Sequence, residues 1–179
     1  MSELRTNRII PRDGLPSGSA GGIIQLKSVT HTEFESQALT GSGNFFDIAG
    51  MSVTITPTRA DSKILIQYWI NWMHAGGNDT AATLRLLRNG TVIGSDSGNP
   101  MNDDRMGMIT MYMAAQAHFS VSGFNYLDSP GTTSALTYKT QLHLDSTSFT
   151  GGNIWGVNRY PALDNYRGSS SITAYEVSG

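Results

Sequence analysis

Apolar and polar residues alternate with a period of two along most of this chain, which predicts an antiparallel β protein. The clearest run is Lys63 to Met73. Ile64, Ile66, Tyr68, Ile70 and Trp72 fall on one face, with Leu65, Gln67, Trp69, Asn71 and Met73 on the other. A helix would scatter the first set around its circumference, and the β-branched and aromatic content opposes a helix as well. The run is expected to be a central strand, buried on one side and partly covered on the second. Ahead of it, Ile23 to Thr30 has the β-branched content of a strand, with Ile24, Leu26 and Ser28 opposite Ile23, Gln25, Lys27 and Val29. Residues 31 to 44 are polar and read as a loop. Met51 to Thr56 sets Met51, Val53 and Ile55 inward, Pro57 ends it, and a turn follows at Thr58 to Asp61.

Farther on, Ala81 to Arg88 and Thr91 to Gly94 flank Asn89-Gly90, the pair a type I′ hairpin turn prefers because both central residues need positive φ. Ser95 to Asp104 reads as a polar loop. Met106 to Val121 alternates weakly, and its Met and Ala suit a core or a subunit interface. Leu136, Tyr138, Thr140, Leu142 and Leu144 line one face of a further strand, opposite Thr137, Lys139, Gln141 and His143. Ser171 to Val177 is the last strand. About eight short strands separated by Gly, Pro and Asn turns, with no convincing helix or internal repeat, predict an all-β, antiparallel β-sandwich (jelly-roll-like) head. That head is expected to span residues 23–179.

Composition narrows the function more than the fold. At 179 residues the chain suits one domain of ordinary size, and the absence of cysteine removes disulfides, thiolate metal sites and thiol nucleophiles. Charged residues are 15% of the total and the net charge is −2, too little field to recruit nucleic acid or an acidic membrane. No apolar run reaches the length of a bilayer span and the N-terminus lacks the apolar stretch of a signal peptide, so the mature chain is expected to begin at Met1.

Candidate chemistry in the body is sparse. His31, His74, His118 and His143 show no His-x-x-x-His or His-Glu-x-x-His spacing. The acidic stretch Asp96 to Asp104 lacks the ligand order and closing Glu of a calcium loop. No Gly-x-Ser-x-Gly elbow or phosphate-cradling glycine loop occurs, and no carboxylate pair stands out among the acidic residues. The expectation is a protein without enzymatic activity, metal or cofactor. One segment invites a binding role: Thr150 to Arg167, a long polar, glycine-rich loop carrying Trp155, Arg159, Tyr160 and Tyr166. Aromatic faces beside amides suit sugar rings or a protein surface. Its aromatics also suit a cover over the open end of the sandwich, and both readings stand at this point.

Residues 1–22 do not follow the β pattern. Pro11 and Pro16 disfavour helix before them, and Ser17 to Gly22 form a Gly/Ser tether, so the segment reads as an extended arm able to span about 40 Å up to Arg12. Arg5, Arg8 and Arg12 against Glu3 and Asp13 give it about +1 and leave the body near −3. Leu4, Ile9, Ile10 and Leu15 are apolar anchors with nothing nearby in sequence to cover them, which points to docking on a partner.

The run Ser2 to Pro16, followed by the glycine spacer and Gly22-Ile23-Ile24-Gln25, resembles the opening of virion structural and tail-fibre proteins of tailed phages, notably cyanophages. Val53 to Pro57, Ser62 to Ile66 and Ser171 to Glu176 are similar to the same group, while 74–170 show no matching pattern. The resemblance implies a homotrimeric β-sandwich head held to other virion proteins through residues 2–16, with Leu4, Arg5, Arg8, Ile9, Ile10 and Arg12 as the attachment residues. It implies location in the virion after assembly in the host cytoplasm, and the low charge already argues against a nucleic-acid or membrane partner. Two roles follow: a short tail or baseplate fibre whose head contacts host-surface polysaccharide, or a capsid decoration protein clamped by the same arm. For the trimer, the Met106 to Ala117 and Leu136 to Leu144 strands are the expected contact elements.

Overall fold

The computed structural model describes residues 22–38, 45–75, 80–94, 107–113, 117–145, 154–160 and 163–178. The arm up to residue 21 and the acidic stretch 96–104 lie outside the described residues. In chain order the strands are β1 (Ile23–His31), β2 (Glu35–Ala38), β3 (Phe45–Ile55), β4 (Lys63–Ala75), β5 (Thr80–Arg88), β6 (Thr91–Ile93), β7 (Ile109–Met113), β8 (Ala117–Asp128), β9 (Leu136–Asp145), β10 (Ile154–Val157), β11 (Arg159–Tyr160), β12 (Leu163–Arg167) and β13 (Ser170–Val177). All pairings are antiparallel. The first sheet runs β1-β13-β4-β10-β2 with β8 also on β4; the second runs β3-β9-β5-β6 with β7 also on β5. The all-β sandwich expected from the alternation is the architecture found.

β4 organises the first sheet. β8 follows one edge for its full length, from Ile64↔Asp128 to Ala75↔Ala117. The other edge is divided between β13, beside Lys63 to Trp69, and β10, beside Trp72 to Ala75. Ile64, Ile66, Tyr68, Ile70 and Trp72 are all at most 1% exposed, as the pattern predicts. At about 2 kcal/mol each, their burial is worth about 10 kcal/mol, as much as the net stability of a typical domain. A one-residue slip would exchange them for Leu65, Gln67, Trp69 and Asn71, so the register is strongly fixed. The Trp72 indole N–H donates to Ser122 Oγ at 3.0 Å, which satisfies the one polar atom that its burial brings inside. From the second sheet, Met51, Val53 and Ile55 of β3, Leu84 and Leu86 of β5 and Leu136, Tyr138 and Leu142 of β9 complete the core.

Several sequence readings need correction. The polar stretch 31–44 contains β2, and β3 begins at Phe45, ahead of the alternation that marks its second half. Met106 to Val121 is not one strand: β7 pairs with β5 in the second sheet and β8 with β4 in the first, so the chain changes sheets between them. Thr150 to Arg167 is not a single loop, because β10, β11 and β12 fall within it. The Asn89-Gly90 hairpin is as expected, with φ of 49° and 86°. β9 lies between β3 and β5 and contributes Leu136, Tyr138 and Leu142 to the core.

Three buried polar nodes pin the layers. Asn158, 1% exposed with φ of 66°, fills the gap on β4 between β10 and β13. Its N–H donates to Asn71 O at 2.9 Å, its Nδ2 donates to His31 O and Glu33 O, and its Oδ1 accepts from Ser170 Oγ at 2.7 Å. Asparagine tolerates the left-handed backbone and supplies both donors and an acceptor, a combination glycine lacks. Asp128 of β8 accepts from Arg88 of β5 at 2.8 Å and from the Tyr138 hydroxyl of β9 at 2.6 Å, joining the two sheets at the hairpin end.

The third node is Glu176, fully buried on β13. It accepts from Gln25 Nε2 of β1 at 2.6 Å and from the N–H and Oγ1 of Thr58 at 2.7 and 2.8 Å, while Gln25 also donates to Thr56 O. Burial raises this carboxyl's pKa, but the hydrogen bonds outweigh burial and hold it below the ordinary 4.5. A carboxyl with a lowered folded pKa adds stability above its unfolded pKa and loses it as pH falls through the folded value. Glu176→Gln is therefore expected to cost about 2 kcal/mol at pH 7, with the gap to the unmutated protein closing as pH drops below 4.5. Denaturant unfolding of both proteins across that range checks it, and a gap independent of pH contradicts it.

Candidate binding face on the six-stranded sheet

The pleat that buries the even-numbered side chains of β4 turns the odd-numbered ones outward. Register then arranges the outer face of the first sheet in rows. Leu26, Tyr175, Leu65 and Leu127 form an apolar row across β1, β13, β4 and β8. Ser28, Thr173, Gln67 and Asn125 form the next, uncharged but rich in hydroxyls and amides. Ser171, Trp69 and Gly123 follow. Trp69 is 54% exposed, and Leu26, Leu127 and Val121 are also open to solvent.

Gly123 explains how the indole sits. A Cβ at this position would lie 2.5 Å from Trp69 Cε3 and 2.7 Å from the Tyr68 carbonyl oxygen, so the six-membered ring occupies the space a side chain at 123 would take. The indole thus extends over β8, beside an open cleft of about 340 Å³ lined by Gln67, Trp69, Asn125 and Ser171 among others. The Tyr175 hydroxyl donates to Gln67 Oε1 at 3.2 Å, which orients that amide with its nitrogen as the remaining donor. Among the described residues, none that lines the cleft is charged. Covering about 120 Å² of exposed indole would be worth about 3 kcal/mol, enough to hold a small ligand weakly.

The outer face of the second sheet has the opposite character. Asp47 takes Lys139 Nζ at 2.7 Å and Gln141 Nε2 at 2.6 Å, Arg85 donates to Gln141 Oε1, and the Arg85 guanidinium lies 3.4 Å from the centre of the Phe45 ring. The Lys139 and Gln141 hydrogen bonds lower the Asp47 pKa. These charges answer one another, whereas the first sheet presents uncharged hydrogen-bonding groups beside an open aromatic.

The sequence-predicted residues of the head lie on other strands. Leu4, Arg5, Arg8, Ile9, Ile10 and Arg12 lie outside the described residues. Trp155 is on β10, opposite His74 and Gln37; Arg159 and Tyr160 form β11, which pairs with β12, the strand that carries Tyr166. His74 and His118, far apart in sequence, stand at directly opposed register positions on β4 and β8. Among the described residues no three His, Asp or Glu side chains gather as a metal site. Sequence reasoning placed Trp69 and Gln67 on the second face of β4 but left Gly123 and Asn125 without a strand. A glycine inside a period-two run was the available signal, since such glycines mark close approach by a neighbour.

No family model matches the chain, and no curated protein does. Solved structures to which it is similar include infectious bursal disease virus Gt strain, at 13% identity and a TM-score of 0.43, covering 98% of this chain and 43% of that one. The VP2 subviral particle of the same virus gives 14% identity, a TM-score of 0.41 and coverage of 98% and 42%. The Gx strain gives 15%, 0.43, and 98% and 41%. The chain spans less than half the length of each of these.

Gly123→Ala is expected to displace the Trp69 indole and to cost about 1–3 kcal/mol, because the Tyr68 carbonyl cannot move without disturbing the β4–β8 ladder. Thermal unfolding reads the stability, and the change in tryptophan emission, compared between Trp69 and Trp69→Phe backgrounds, reads the indole. An alanine variant with unchanged stability and emission contradicts this account of the cleft.

Proposed function

We propose that this protein is a non-enzymatic structural component of a phage particle, a short tail or baseplate fibre that joins other virion proteins through residues 2–16 and presents its sandwich outward as a homotrimer. The observation that carries the reading is the aromatic and amide cleft on the outer face of the first sheet, whose described lining is uncharged, a surface suited to contact with host polysaccharide. The resemblance of the arm to tail-fibre openings supplies the particle. The arm enters at β1, an edge strand of the sheet that carries this face, and the Gln25–Glu176–Thr58 node ties that entry point to β13 and to the turn after β3. Load on the arm therefore passes into a strand paired from Gln25 to His31.

Deleting residues 2–16 is expected to leave a folded head that no longer joins the particle, measured by its amount on purified virions. Normal incorporation of the truncated protein overturns the reading. Particles that lack the protein should adsorb poorly to host cells while keeping their resistance to heat; loss of heat resistance with normal adsorption would instead identify a capsid decoration protein.

A further inference from the structure

We infer that the cleft beside Trp69 is a subsite for an uncharged pyranose ring of a neutral polysaccharide, an assignment that rests on the polysaccharide contact proposed above and gives it a location. Four features of the cleft point to this ligand. A flat, half-exposed indole presents the negative face of a π-system, which attracts the weakly positive C–H groups on one face of a sugar ring. Around it stand the Gln67 amide, the Asn125 amide and the Ser171 hydroxyl, groups that both give and take hydrogen bonds, as sugar hydroxyls do. The described lining carries no charge, so it does not reward a phosphate, sulfate or uronate, and burying such an anion there would leave it uncompensated. The cleft is open to solvent on the outer face of a paired sheet, a shape suited to one ring within a longer chain.

The aromatics of the 154–167 segment are the competing location. The two locations separate cleanly, because Trp69 and Trp155 lie on different strands and can be replaced one at a time.

The test uses the full chain with four probes: cellotetraose, maltotetraose, mannotetraose and, as the charged control, tetragalacturonate. Calorimetry and tryptophan quenching are expected to show binding of at least one neutral probe. Trp69→Ala should weaken it about tenfold or more, with Trp69→Phe recovering part of the loss. Trp155→Ala should leave it within about twofold. Since none of the described residues lining the cleft is charged or changes protonation between pH 5 and 8, affinity should change by less than about twofold over that pH range and between 0.05 and 0.5 M salt. Trp69 is half exposed and packs over Gly123, so Trp69→Ala should stay folded with a modestly lower unfolding temperature, and Asn125→Ala, at an exposed position, provides a second variant expected to weaken binding several-fold without that loss.

The inference is overturned if no neutral probe binds, if binding survives Trp69→Ala, if tetragalacturonate binds in preference with strong salt dependence, or if sedimentation shows that Trp69→Ala abolishes self-association, which would make this face a contact between copies. A protein that sits on the particle and binds none of the probes leaves the virion role standing and removes only this subsite.

Discussion

The ladder between β4 and β8 is the constraint on which the rest of the structure depends. Its period of two leaves no freedom: once Ile64, Ile66, Tyr68, Ile70 and Trp72 are committed to the core, Leu65, Gln67 and Trp69 must face out. The same ladder sets Gly123 opposite Trp69 and Asn125 opposite Gln67. Core burial and the composition of the outer face are therefore one decision. A site built in this way is rigid, because moving its floor would require breaking the register that holds the domain together.

The divided edge of β4 creates the need for the polar nodes. Where β13 gives way to β10, backbone groups of β4 would be left unpaired inside the protein, an expensive outcome. Asn158 and Ser170 supply those bonds, and Asn158 reaches on to the end of β1. At the other end Asp128 answers Arg88 and Tyr138 across the two sheets, and Glu176 gathers β1 and the 56–58 turn. The fold thus uses apolar burial to set register and a few satisfied polar groups to hold the layers together where strands begin and end.

The sequence disclosed what period two can encode. The inward faces of β3, β4 and β9, the Asn89-Gly90 turn and the all-β class were all legible, because each depends on local alternation or on turn stereochemistry. Where strands are short or their contacts come from distant residues, local pattern failed. β10 to β12 are short and lie among Gly and Asn turns, and they owe their form to pairing, β10 with β2 and β4 and β11 with β12, so they read as a loop. The break between β7 and β8 was hidden by a continuous run of small and flexible residues. For the binding face, Trp69 was assigned to the correct side of β4, yet the cleft was not legible, since Gly123, Asn125 and Ser171 join it only through cross-strand register.

The central claim is that the outer face of the first sheet engages neutral saccharide through Trp69. Isotope-labelled full chain titrated with cellotetraose, maltotetraose and mannotetraose, followed by NMR of indole and side-chain amide signals, tests it most directly. Shifts are expected only at the Trp69 indole and the Gln67 and Asn125 amides, with Trp72 and Trp155 unmoved. Shifts centred on Trp155, or no shift at any of these groups, would contradict it.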